Sequence, residues 1–258
     1  MPLFRDWAEP PTADHAARSD ARALATVNAV LAESNVRPLA ALFELFYPER
    51  TVLCTWPELD HYAGVGRSVA DYRGPDCAFA PGAAPQWPHD RGPRVFAYLR
   101  GAHPEHADVL RALDTLGCAT ECFIPDAPAQ GDALPRSANI HYSQGPVDME
   151  RVVAECSLVV CHAGQATVAQ ALRAGIPLLL LPLQAEQFLL ARQVERAGAG
   201  INAASLARPV DYVSIIDAVG RPDGASAVAA RTVASRYQAF DPAGLAQEIA
   251  RAAGQMLA

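Results

Sequence analysis

From Pro93 onward the chain repeats one pattern: a short apolar run, a breaker, then a stretch with apolar residues at helical spacing. Residues 94–99 form the first run, and 104–116 the first helical stretch, which ends at Gly117. Further apolar runs occupy 118–124 and 139–142, and Asp148 is placed to cap a helix reaching about Ala154. A strand at 158–161, a helix at 164–174 closed by Gly175, a strand at 177–181 and a helix at 185–197 closed by Gly198 follow in turn. The remainder reads as helices at 210–219, 225–237 and 245–257. Short strands alternating with helices predict an α/β fold: a Rossmann-like parallel sheet with helices on both faces. In such a sheet the ligand sits at the carboxyl ends of the strands, beside helix N-termini.

The first third is different. Residues 14–34 are rich in Ala and Leu and place Leu24, Val27, Val30 and Leu31 at helical spacing. Pro38 opens a second short helix, and 50–56 reads as a strand closed by Pro57. Eight Gly and Pro residues between Gly74 and Pro93 then mark an interdomain linker. The expected division is therefore 1–75, mainly helical, a linker at 76–93, and an α/β domain at 94–258.

Composition removes several chemistries. The 21 basic residues are all Arg. A chain without Lys has no Schiff-base lysine and no P-loop lysine. A net charge of −7 argues against broad binding to nucleic acid. The longest apolar run, 176–183, is too short to span a membrane and holds two prolines. The start, MPLFRDWAEPP, lacks a basic segment followed by an apolar core, so a cytoplasmic protein is expected. The six cysteines are scattered and read as reduced. Cys118 and Cys122 fall on one strand face and read as core residues, not as zinc ligands with His103 and His106.

The stretch Cys161-His-Ala-Gly-Gln-Ala-Thr167 carries the chemistry. A buried strand ends, the chain turns, and a helix begins; its unpaired N–H groups and dipole suit a diphosphate. Small residues at 163, 164 and 166 admit the ligand to the backbone, Thr167 offers a hydroxyl, and His162 sits over the anion. An ordinary strand-to-helix turn with a packed histidine has the same spacing. One strand later, Glu186 and Gln187 open a helix; a carboxylate beside an amide suits a polyhydroxylated ligand, and equally an acid complements a helix start. Arg100, after the first strand of the domain, either faces the diphosphate or is a solvated loop residue.

These segments, with Ala174-Gly-Ile-Pro177, Leu181-Pro182 and Gly198-Ala-Gly200, resemble the C-terminal, donor-binding half of GT-B nucleotide-sugar-dependent glycosyltransferases. Macrolide and antibiotic glycosyltransferases and UDP-glucosyl and UDP-glucuronosyl transferases belong to that group. The resemblance implies an inverting hexosyltransferase that uses a UDP- or TDP-sugar, with no cofactor and no metal. By this resemblance His162, Ala163, Gly164, Gln165, Ala166 and Thr167 contact the diphosphate, and Glu186 and Gln187 the sugar. Ser143, Gln144, Gly145 and Val147 fall in the nucleoside-binding loop. Ala163 and Ala166 stand where the family usually has Gly, and Glu186 where Asp is commoner.

The family's acceptor domain needs more chain than about the first 90 residues provide, so residues 14–75 read as its last helices and last strand. His15 and His61 read as solvated loop histidines, and no catalytic base is assigned. On this reading the chain is a truncated enzyme, the product of a mis-assigned start, or the donor subunit of a split enzyme, open to self-association or to a partner through its interdomain face. A non-catalytic nucleotide-sugar-binding module and a sugar-nucleotide 2-epimerase are the alternatives.

Overall fold

The computed structural model describes residues 10–46, 52–61, 67–126 and 134–254. At its centre is a parallel sheet of β1 (Arg94–Tyr98), β2 (Ala119–Phe123), β3 (Ile140–Tyr142), β4 (Leu158–Cys161), β5 (Leu178–Leu180) and β6 (Gly200–Asn202), ordered β3-β2-β1-β4-β5-β6. Strand order reverses between β1 and β4, the position at which open parallel sheets bind ligands.

The period-two alternation of the strands sends side chains into two cores. Phe96, Val159, Cys161, Leu178 and Leu180 face one side. There they pack on α4 (Gln165–Arg173), α5 (Ala185–Arg196) and α7 (Ala225–Arg236) through Leu172, Val194 and Val233. Val95, Ala97, Leu99, Val160 and Leu179 face the other side. Their partners are α2 (His106–Thr115) and α6 (Tyr212–Gly220), through Leu110, Leu113 and Ile216. A sheet buried on both faces requires continuous apolar strands, and β4 and β5 have them, whereas β2 buries Thr120 and Glu121. Truncating a fully buried leucine here to Ala costs about 2–5 kcal/mol. Two of the helix-ending glycines, Gly175 (φ 75°) and Gly198 (φ 71°), adopt the left-handed conformation that lets the chain leave α4 and α5.

Strand β6 is an addition to the sequence reading. At Gly200 a Cβ would fall 2.4 Å from the Leu178 carbonyl oxygen, so only glycine allows that close pairing with β5. The strand expected at 50–56 is a correction. Residues 50 and 51 lie outside the described part, and Leu53 forms only an isolated parallel bridge with Tyr72. The tail of the helix expected to reach 257 also lies outside it; α8 is described over Leu245–Gly254.

Before the sheet, α1 (Pro10–Glu33) is followed by a 3-10 turn at Leu42–Phe46. The Asn28 amide donates to the Leu39 carbonyl at 3.0 Å and accepts from its N–H at 2.8 Å, holding the returning chain against α1. Position 15 lies within α1, not in a loop. The Gly/Pro-rich stretch before β1 is extended and strapped to the sheet domain. Gln170, buried in α4, donates to the carbonyls of Cys77 (3.3 Å) and Ala78 (3.1 Å), and Trp87 donates to Glu155 at 2.7 Å. Earlier, Trp56 stacks on Tyr237 with ring centroids 4.3 Å apart, and Glu58 accepts from Tyr237 and Arg236. Residues 56–59 are thereby docked onto the C-terminal end of α7.

Candidate active site

The turn from β4 to α4 is built from four consecutive residues. Cys161 ends the strand fully buried, His162 is half-buried, Ala163 takes φ 61°, and Gly164 is the N-cap of α4. No side chain caps this helix, so its first N–H groups are available to a ligand. Ala166 is exposed and Thr167 half-buried in the first turn. His162 Nε2 lies 3.2 Å from where a Cβ on Gly164 would be. Burial holds the imidazole below the usual histidine value, and Arg100 pushes in the same direction. The Tyr98 backbone and Asp126 oppose this. The Tyr98 backbone is placed as a hydrogen-bond partner that favours the charged ring, while Nδ1 is buried and makes no hydrogen bond of full geometry. Arg100 itself sits 3.7 Å from the Asp126 carboxylate.

At the start of α5 the sequence reading needs one correction. Gln187 closes a capping box with Gln184: its Oε1 accepts from the N–H groups of Leu183 (2.8 Å) and Gln184 (3.2 Å). Both lone pairs of that oxygen are used, so the amide keeps only its NH2 as a donor for a ligand. Glu186 beside it is exposed. The pair therefore offers one donor group and one acceptor group.

These two helix starts form one wall of a cleft of about 340 Å³, with Ala163, Gly164, Gln165, Glu186, Gln187 and Leu190 in its lining. The facing wall is residues 52–55, Leu59, Asp60, His61 and Arg67. Gln165 Nε2 ties the walls together by donating to the Cys54 carbonyl at 2.6 Å. Asp60 is buried, and its Oδ2 accepts from Arg67 and from the Tyr72 hydroxyl, both at 2.7 Å. Burial and the Asp60 hydrogen bond push the Tyr72 hydroxyl up to about 12. His61 is half-buried and lowered from its ordinary value by that burial, against the pull of Asp60. It lines the cleft and is not a solvated loop histidine. This second wall was missed in the sequence; the signal available was the run Trp56-Pro-Glu-Leu-Asp60, too polar and broken to register as a core element.

A separate cavity of about 390 Å³ opens where β2 and β3 end, lined among others by Phe123, Leu134, Tyr142, Ser143, Gln144 and Gly145. The Ser143 hydroxyl donates to the Gly145 carbonyl at 2.7 Å and shapes this loop. Val147 does not join them. Its side chain is buried in the first core, and its backbone bridges Ala83, so it is withdrawn from the nucleoside-facing set. His103 is buried and accepts from the Glu105 N–H at 3.2 Å, a local cap to the turn before α2. Cys118 and Cys122 pack in the second core. Among the described residues no three potential metal ligands cluster, and no helix is long and apolar enough to cross a membrane.

Residues 130–209 match the glycosyltransferase family 28 C-terminal domain. Over 165 residues the chain is 30% identical to a zeaxanthin glucosyltransferase from Pseudescherichia vulneris, covering 59% of this chain and 37% of that protein. The solved spinosyn rhamnosyltransferase SpnG superposes with a TM-score of 0.60 at 26% identity, over 79% of this chain and 57% of that one. Its complex with thymidine diphosphate gives 0.55 at 26%, over 78% and 56%. The calicheamicin glycosyltransferase CalG4 shares the fold, with a TM-score of 0.63 at 21% identity over 90% of this chain and 60% of that one. The chain thus spans between about a third and three-fifths of the lengths of these proteins. In fold this chain is similar to GT-B glycosyltransferases such as SpnG, and its residues 130–209 match the family 28 C-terminal domain.

Proposed function

We propose that the chain binds a TDP- or UDP-sugar and contributes the donor half of an inverting hexosyl transfer. The observation that carries this reading is the uncapped start of α4, roofed by His162 and opening on a cleft that also receives Glu186 and Gln187. Residues 162–167 and Arg100 hold the diphosphate, Ser143, Gln144 and Gly145 approach the nucleoside, and Glu186 with the Gln187 NH2 meets the sugar. In the transfer an acceptor oxygen bonds to the anomeric carbon while the bond from that carbon to the diphosphate breaks. The developing negative charge falls on helix N–H groups and His162, a preorganised electrostatic arrangement that needs no metal. The acceptor's proton leaves to a base that we assign to no residue.

Three solved structures support a thymidine nucleotide: SpnG was solved with thymidine diphosphate, and the same holds for the more distant glycosyltransferases VinC and SsfS6. Titration calorimetry with TDP and TMP tests the reading. TDP is expected to bind more tightly, since α4 receives the distal phosphate; equal affinities would remove the diphosphate assignment. The division into 1–75, 76–93 and 94–258 belongs to the same proposal, as does a cytoplasmic location.

A further inference from the structure

Three aromatic rings stand in a row across the carboxyl ends of β2, β1 and β4. Phe123 and Tyr98 are register partners on adjacent strands, stacked with centroids 5.5 Å apart and planes 21° apart. Tyr98 meets His162 edge-to-face, 4.8 Å between centroids at 79°. Phe123 lines the cavity beside Ser143, Gln144 and Gly145, while His162 roofs the start of α4. Tyr98 is thus the joint between the two ends of the site.

We propose that Tyr98 is a positioning residue: its ring fixes the imidazole plane of His162 so that Nε2, and not a ring carbon, faces the start of α4. A histidine ring is ordinarily oriented by a hydrogen bond to its second nitrogen. In His162 that device is weak: the Tyr98 backbone is placed as a partner, but Nδ1 is buried and makes no hydrogen bond of full geometry. The ring contact with Tyr98 completes the orientation. Edge-to-face pairs are directional, since the positive ring edge meets the negative face of its neighbour, and rotation of the imidazole breaks that match. The task belongs to the ring; the phenolic hydroxyl is not needed for it.

The effect on affinity rests on the proposed diphosphate site, but the orientation of His162 does not, so the two are read separately. Tyr98→Phe, Tyr98→Leu and Tyr98→Met are made in the full chain, alone and with His162→Ala. The first readout is the pH titration of the His162 ring by NMR without ligand. Tyr98→Phe is expected to match the parent protein. Tyr98→Leu, or Tyr98→Met should the leucine variant fold poorly, moves the midpoint up toward 6.5 as water reaches the ring. The second readout is TDP affinity, expected to fall about tenfold in the same variants as the misplaced imidazole loses its hydrogen bond to the charged ligand. That fall disappears in the His162→Ala background. An unchanged His162 titration in both Leu and Met variants overturns the proposal, as does an equal loss of TDP affinity with and without His162. A parent protein that does not bind TDP removes the functional reading, while the ligand-free titration still decides the role of Tyr98.

Discussion

His162 and Gly164 share one small volume: the imidazole Nε2 lies 3.2 Å from where a side chain on Gly164 would begin. The helix start and the histidine above it can face a common anion only while position 164 has no Cβ. Gly164→Ala is therefore expected to displace the ring by a few tenths of an ångström. TDP affinity should fall with little change in melting temperature, because φ −70° at this position suits alanine. Calorimetry and a thermal melt check both halves; undiminished affinity would separate His162 from the ligand.

Ala163 carries φ 61°, a left-handed conformation that costs a residue with a Cβ about 1–2 kcal/mol. Ala163→Gly relieves that strain and gives back about 0.4–1 kcal/mol of unfolded-state entropy. The net expectation is a stabilisation of about 0.5–1 kcal/mol by denaturant unfolding. A destabilised variant would mean that the Ala163 methyl, buried in the first core, matters more than its backbone strain.

Gln187 separates support from recognition. Its Oε1 caps α5, and only its NH2 is left for a ligand. Gln187→Glu keeps an acceptor for the two N–H groups and removes the donor, so stability should hold while nucleotide-sugar affinity falls. Gln187→Ala removes the cap as well and costs about 1 kcal/mol of stability. Bare TDP should bind Gln187→Ala like the parent. Equal losses for TDP and the sugar nucleotide would make Gln187 a purely structural residue.

Much of this was legible in the sequence, because buried parallel strands and their helices write themselves in runs and breakers. β4, α4 and the capping Asp148 of α3 (Met149–Glu155) stand where the apolar runs and cap residues put them. What was illegible depends on long-range contact. β6 is three residues, too short for a period, and exists because Gly200 admits the Leu178 carbonyl. Residues 52–56 have strand-like composition but only one bridge partner. Neither the wall of the cleft formed by Asp60, His61 and Arg67 nor the capping use of the Gln187 oxygen has a local signature. Both arise from contacts made once the chain has folded.

The cysteines give a check on burial. Burial raises the thiols of Cys77 and Cys118 to about 11 and those of Cys156 and Cys161 to about 12, and raises Cys122 further. Cys54 is exposed. An aromatic disulfide reagent should modify one thiol rapidly in the native protein and all six after unfolding. Rapid reaction of two or more would contradict the packing of the two cores.

Stability should also fall in mild acid. Burial lowers the pKa of His61, His103 and His162 below 6.5, so the unfolded chain takes up protons that the folded one refuses. Unfolding free energy then decreases as pH falls below about 6.5, and this contribution levels off below the folded-state values. His103→Asn keeps an acceptor for the Glu105 N–H and removes one of these groups. Urea unfolding at pH 7.5 and 5.5 should show a smaller difference for this variant; an identical difference would discount His103.

The most direct test of a diphosphate at the start of α4 is the backbone amide spectrum of the protein during a TDP titration. The amides of Ala163, Gly164, Gln165, Ala166 and Thr167 should show the largest shift changes, saturating with one nucleotide per chain. His162→Ala should weaken the midpoint by about 1–3 kcal/mol, the worth of a hydrogen bond to a charged group. Saturable shifts confined to other parts of the sheet, or none at these five residues, would contradict the assignment.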